Sequence, residues 1–144
     1  MSVPPELKIF TLAEAGRTLP LVQRIVQDLR DDHQRWRAAV AHYEPLTGGA
    51  RSEWGETPEL LQARTEVSDL AERINGYLGE LSRIGCIFKG FDVGLVDFYA
   101  LREDRLVFLC WRLGEDRIRY WHEIDAGFEG RQPLDPSTLP RTTP

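Results

Sequence analysis

The chain has only two cysteines, Cys86 and Cys110, and no CxxC pair. That argues against a disulfide-stapled secreted scaffold and fits a reducing cytosol. No apolar run approaches the roughly 20 residues that a membrane span requires. The opening MSVPPELKIF lacks the basic segment and apolar run of a signal peptide. A cytoplasmic protein with no membrane partner is therefore expected. Excess positive charge is missing too: the formal net charge is -5, whereas a general nucleic-acid binder carries a basic field. The arginines after residue 101 are interleaved with acids, so no nucleic-acid partner is expected. The chain also contains no GxGxxG, no GK[ST] phosphate loop, no HExxH, no GxSxG and no zinc-ribbon spacing. No reaction or cofactor follows from a motif, and whether the protein is an enzyme stays open at this level.

What is present is first of all helical. A chain of 144 residues is one domain by length and can bury about 68–70% of its unfolded surface. Thr11 and Glu14 form a capping box at the start of a helix. From there Leu12, Ala15, Leu19, Val22, Val26, Leu29, His33, Trp36, Val40 and Tyr43 recur in alternating steps of three and four, a seam that packs along another helix. Pro20 interrupts it and predicts a kink, or a division into a helix over 12–17 and another over 20–44. His33 reads as a packing histidine on that seam, and Asp31, Asp32 and His42 as solvated surface. Residues 44–57 form a loop in which Trp54 is either a plug or a partner contact. Thr57, Pro58 and Glu59 then start a second helix. Its seam runs Leu60, Ala63, Val67, Leu70, Ile74, Tyr77, Leu81 and Ile84, and Gly85 stops it. Two seams joined by one loop predict an antiparallel helical hairpin. Ile25, Ala39, Leu61, Ala71 and Leu78 widen each stripe, so each helix needs a second apolar neighbour, the sheet or another subunit. A homo-oligomer is expected on that ground.

After Gly85 the pattern alternates. Residues 86–88 are a short strand or connector, and strands are predicted over 95–101, 106–112 and 117–123, with tight turns at 102–105 and 113–116. The fold class is α+β: a long antiparallel helical hairpin packed on a small three-stranded antiparallel β-meander. It forms a single domain over 1–144, with the hairpin at 11–84, the meander and a covering loop at 85–133, and a tail at 134–144. The turn centres set Asp97 opposite Cys110, Tyr99 opposite Phe108, Cys110 opposite Tyr120 and Phe108 opposite His122. One face then carries Val96, Phe98, Ala100, Val107, Leu109, Trp111 and Trp121, the core face. The other mixes Leu95, Leu101, Phe108 and Ile118 with Asp97, Tyr99, Cys110, Arg112, Tyr120 and His122.

That mixed face is a pocket wall, a homodimer surface, or a half-exposed sheet with Asp97 and Arg112 paired. Beyond it, Gly127 and Gly130 allow close backbone approach, and Arg131 suits a carboxylate or phosphate, which makes a small anionic ligand a candidate. The plain alternative is an ordered loop over the sheet edge with Arg131 on backbone carbonyls. Asp97, Tyr99, Cys110, Arg112, Tyr120, His122, Asp125 and Arg131 are thus the candidate ligand-binding residues. His122 and Asp125 are the candidate metal ligands. The α-carbons of Asp97 and His122 are expected roughly 12 Å apart across the middle strand, so Asp125 is the expected partner of His122. A nucleophilic Cys110 with His122 as base is conceivable, but a buried mid-strand thiol is more often inert. A Cys86–Cys110–His122 zinc site lacks the close ligand pairs such sites show. Two function classes follow: a ligand- or partner-binding module, and a metal-dependent enzyme using His122 and nearby carboxylates.

The segments GLVDF, LCWRLGE and YWHEIDAGFEGRQP, with the opening FTLAEAGRTLP, resemble a bacterial family known as domain of unknown function 2203. The resemblance covers nearly the whole chain. Its most distinctive parts are Cys110-Trp111, Gly114-Glu115, Trp121-His122-Glu123 and residues 127–131. It implies a small soluble bacterial protein and supplies no reaction, substrate or cofactor. The chain departs from that family's pattern at Tyr99, where the family has proline after GLVDF.

Overall fold

A computed structural model describes residues 7–48, 55 and 57–134. Helix α1 spans Leu12–Tyr43. The Thr11 hydroxyl accepts from the Glu14 amide, and the Glu14 carboxylate accepts from the Thr11 amide, which closes the expected capping box. The helix is one element through Pro20, not the two pieces the proline suggested. Pro20 lies on the exposed side of the helix. Its missing N–H costs one bond to Gly16, and no buried contact is lost with it. A short 3₁₀ turn, Glu44–Thr47, follows. Helix α2 is Pro58–Ile84. Thr57 caps it by accepting from the Leu60 amide at 3.1 Å, and Gly85 ends it at φ 106°, in the left-handed region. Trp54 lies outside the described residues, as does the tail beyond Leu134.

The two helices are tied by a buried carboxylate. Asp32 is only 1% exposed, so it is not the solvated surface residue its sequence neighbourhood suggested. It accepts from Arg35 at 2.6 Å and from the Tyr77 hydroxyl of α2 at 2.9 Å, and Arg73 of α2 lies 3.0 Å away. Burial alone would raise its pKa. The hydrogen bonds from Arg35 and Tyr77, with the charge of Arg73, outweigh burial and hold it below the ordinary value. His33 packs as expected, its ring stacked on Phe91 at 3.8 Å and near Trp36 at 5.9 Å.

The sheet has five strands, not three, in the order of the sequence: β1 Ile87–Phe88, β2 Leu95–Arg102, β3 Arg105–Arg112, β4 Tyr120–Glu123 and β5 Gln132–Pro133, each antiparallel to the next. The added edge strands have two residues each, too few to show an alternating pattern in sequence. β4 starts three residues later than expected. Residues 113–119 are spent on a wider turn, in which Arg119 pairs with Asp116 and Ile118 enters the core. All four expected pairs of the register are present. Glu103 and Asp104 turn β2 into β3 with φ 52° and 62°, the positive angles that a two-residue hairpin turn demands.

The core lies between one sheet face and the helices. Val96, Phe98, Ala100, Val107, Leu109, Trp111 and Trp121 pack with Ala15, Leu19, Val22, Ile25, Val26 and Leu29 of α1 and Ile74 and Leu81 of α2. The second apolar neighbour of the hairpin is therefore the sheet. Each such aliphatic or aromatic side chain contributes about 1.5–3 kcal/mol on burial. Trp111, wholly buried, donates its indole N–H to the Glu115 carbonyl at 2.9 Å. Gly94 sits at φ 65° where a Cβ would fall 2.8 Å from that of Leu113. That close approach lets the Leu113 amide donate to Gly94 O at 3.0 Å. No helix among the described residues is long and apolar enough to cross a membrane.

Candidate functional site

Three side chains of the mixed face converge although each comes from a different strand. Asp97 of β2, Cys110 of β3 and His122 of β4 are all wholly buried. One ligand atom from each lies within 4.8 Å of the others. The expectation that the side chains of Asp97 and His122 do not meet is overturned: His122 Nε2 lies 3.0 Å from Asp97 Oδ2. The register is as expected, and the expectation had left out sheet twist, which shortens one diagonal of a face, and the reach of the two side chains. Asp125 is exposed in the turn after β4 and is not the partner of His122. The other imidazole nitrogen, Nδ1, meets the Glu123 carbonyl oxygen at 2.8 Å instead.

The fourth member is Lys89, which stands just after β1. Its amide donates to Leu95 O at 2.8 Å, which continues the β1–β2 ladder by one step. The side chain therefore faces the same side as Asp97. Its Nζ lies 2.8 Å from Asp97 Oδ2 and 3.9 Å from the centroid of the Phe108 ring, a cation–π contact. The Lys89 side chain is 33% exposed, so one end of the cluster touches solvent. Phe108 also contacts the His122 ring at 5.3 Å and Tyr99 at 4.7 Å. Lys89 was missed as a functional candidate because the short strand or connector was read as ending at residue 88. Carrying the alternation of 86–88 one residue further would have placed Lys89 on the mixed face.

The protonation pattern is constrained by chemistry. A carbonyl oxygen only accepts, so the Nδ1 contact to Glu123 O requires a proton on Nδ1. In a neutral ring the Nε2 lone pair then points at Asp97 Oδ2, also an acceptor when ionised. Two lone pairs at 3.0 Å need something between them: a proton, carried by the ring or by the carboxyl, or a metal ion. Asp97 Oδ1, equally buried, has no hydrogen-bond partner among the described residues. The Cys110 thiol is pushed up to about 12, chiefly by burial and next by the Asp97 charge. Without a metal it is a thiol, not a nucleophilic thiolate. Cys86 belongs elsewhere: it sits in the main core, and its thiol donates to Leu81 O at 3.5 Å.

Arg131 closes the other end of the face. It bonds both Glu115 carboxylate oxygens, at 2.7 and 2.9 Å, and the Cys110 carbonyl at 3.3 Å. Its guanidinium stacks on Tyr120 at 4.0 Å and lies 4.9 Å from the Phe128 centroid. Glu115 thus supplies, from within the chain, the carboxylate that the ligand reading assigned to a small anion, and the bond to Cys110 O is of the kind the plain alternative named. Glu115 also accepts from the Arg112 amide at 2.8 Å, while the Arg112 side chain is exposed. The partners of Asp97 are Lys89 and His122, not Arg112. The structure therefore gathers Asp97, Cys110 and His122 in one cluster, sets Tyr99 beside it through Phe108, and joins Tyr120 to Arg131. Arg112 and Asp125 stand apart, exposed. Glu115 stood out in the sequence only through its place in a turn and through Gly114-Glu115 in the family resemblance. The side chain of Glu123, on the opposite face, takes a bidentate pair from Arg105 at 3.0 and 2.7 Å.

Residues 8–134 match the sequence model of a family described as uncharacterized conserved protein, DUF2203. No curated protein and no solved structure matches the chain.

Proposed function

The chain belongs to this uncharacterised family, and we propose from its own geometry that it binds a metal ion through Asp97, Cys110 and His122. The observation that carries this reading is the orientation of His122. Metal-binding histidines commonly donate one ring N–H to a backbone carbonyl, which fixes the tautomer and aims the other nitrogen at the metal. The Glu123 carbonyl is placed for that role at 2.8 Å. Around a tetrahedral ion with ligands at 2.0–2.3 Å, ligand atoms sit about 3.3–3.7 Å apart. A His–Asp separation of 3.0 Å and a three-residue spread within 4.8 Å need only small adjustment. The unpartnered Asp97 Oδ1 offers a second carboxylate donor.

The donor set selects the metal. One imidazole nitrogen, one thiolate and one carboxylate favour a borderline divalent transition ion of the zinc type over magnesium or calcium, which take oxygen ligands. Three protein ligands leave one coordination position for water or a substrate atom, the arrangement of catalytic rather than structural zinc sites. Self-association is a separate proposal, supported by the exposed apolar residues Leu21 on α1 and Leu61 on α2.

The test is elemental analysis after incubation with zinc and gel filtration. The expected result is one ion per chain in the native protein and none in Cys110→Ala or His122→Ala. A native protein that emerges metal-free would overturn the proposal and leave a buried hydrogen bond to Asp97 as the role of His122.

A further inference from the structure

Asp97 Oδ2 has two claimants. The Lys89 ammonium lies 2.8 Å from it, and a metal on His122 Nε2, itself 3.0 Å from Oδ2, would bind the same carboxylate, at that oxygen or at the adjacent Oδ1. Both are cations, and two cations on one buried carboxylate repel strongly in a low-dielectric site. We infer that Lys89 is the gate of the metal site, its ammonium neutralising Asp97 before loading and swinging into solvent when the ion enters. The inference rests on the metal reading above and names how that site is filled.

Three observations carry it. Asp97, Cys110 and His122 are wholly buried, and Lys89 is the one member of the cluster with solvent contact. The route to the ligands on this side is the space that its side chain fills. The backbone of Lys89 is pinned by its bond to Leu95 O, and Phe91 anchors the following loop on His33 at 3.8 Å. Opening is therefore a change of side-chain rotamer, with no loop to unfold. The residue type also fits. Lys89 is one of two lysines in the chain, Lys8 being the other, among 18 basic residues. An ammonium is a point charge on a flexible stem, whereas a guanidinium would grip the carboxylate through a planar fork and release it less readily. The Phe108 ring face, 3.9 Å from Nζ, steadies the closed position while leaving the outer side of the ammonium wet.

The scarcity of lysine makes the test direct. The native protein, chelator-treated or loaded with stoichiometric zinc, is exposed briefly to an amine-acylating reagent, and modification of Lys89 is read by peptide mass spectrometry with Lys8 as internal control. Zinc should raise Lys89 modification several-fold and leave Lys8 unchanged. In parallel, Lys89→Met should bind zinc about 5-fold or more tightly than the native protein in competition with a chromophoric chelator, the lower end of ordinary coupling between competing ligands. Lys89→Arg should bind no more tightly than the native protein. Stoichiometric zinc binding with unchanged Lys89 modification would overturn the gate and leave the metal site standing. Failure of the native protein to retain zinc at all would overturn both.

Discussion

Asp97→Asn tests the cluster most economically, because it removes one charge with almost no change of shape. In the native chain Asp97 accepts at 3.0 Å from the His122 side and pairs at 2.8 Å with Lys89. A buried hydrogen bond to a charged group contributes about 1.5–3 kcal/mol. The Lys89 pair is one-third exposed, so it is worth only the about 0.2–1 kcal/mol of a solvent-screened ion pair. The loss in metal-free buffer is therefore about 2–4 kcal/mol. For a chain of this size about 3–4 °C of Tm accompanies each kcal/mol, giving a fall of about 6–16 °C. Zinc supplies a second arm. At a hundred times Kd a ligand that binds only the folded state adds about 2.7 kcal/mol, so the native Tm should rise by about 8–11 °C. Asp97→Asn should show little of that rise. Circular dichroism melts of both proteins, with chelator and with zinc, provide the four numbers. Equal melting temperatures in chelator would refute the energetic reasoning, and equal zinc-induced rises would refute the assignment of Asp97 as a ligand.

Asp32 carries a pH prediction. Its carboxyl lies below the ordinary value of 3.8, so it contributes stability that is present above that value and lost as pH falls through the depressed one. Asp32→Asn should flatten the acid limb of a stability–pH profile measured by urea unfolding; an unchanged limb would show that other carboxylates govern it. Gly94→Ala should destabilise by about 2–4 kcal/mol, from a left-handed backbone and a clash at 2.8 Å with Leu113 together; a melt like that of the native protein would contradict the close packing of β2 on the turn after β3. If Leu21 and Leu61 mediate self-association, light scattering should give an oligomer mass that reverts to the monomer in Leu21→Glu with Leu61→Glu; a native protein that is monomeric at high concentration would remove that proposal.

The helices and the register were legible because their signals are local and redundant. Ten seam positions in α1, nine of them apolar, share one period, and the capping residues Thr11 for α1 and Thr57 and Gly85 for α2 mark helix ends. The hairpin turn at Glu103 and Asp104 then fixes which residues of β2 and β3 face each other, so the mixed face could be written down residue by residue. What could not be read was distance across that face. Placing His122 away from Asp97 treated the sheet as flat, and twist is a collective property of five strands, two of them too short to see. Asp32 was misjudged for a related reason. Its burial depends on Tyr77 and Arg73 from the opposite helix, and nothing in the run Asp31-Asp32 distinguishes the inward acid from the outward one. Lys89 was hidden by the brevity of β1, and the fate of Arg131 by a partner, Glu115, whose turn position carries no periodic signal.

The order of the strands has a kinetic meaning. Every strand pairs with its neighbour in sequence and the two helices pair with each other, so the ladders and the helical hairpin close short loops, while the packing of α1 on the sheet joins residues far apart in the chain. The local units are expected to form fast, and the non-local docking of helix on sheet carries the larger loop-closure entropy. One of the long closures joins the lead-in to the sheet, where the Phe10 amide donates to Tyr99 O at 2.7 Å and the Phe10 ring meets Phe98 edge-on at 5.1 Å. That single stitch brings the start of the helical hairpin back to the strand after its end, and it is the step whose entropy grows with the length of everything between them. A hairpin and a meander that each assemble quickly would then wait on the docking of α1 and its lead-in on the sheet, so loss of the Phe10 ring from that core should slow refolding.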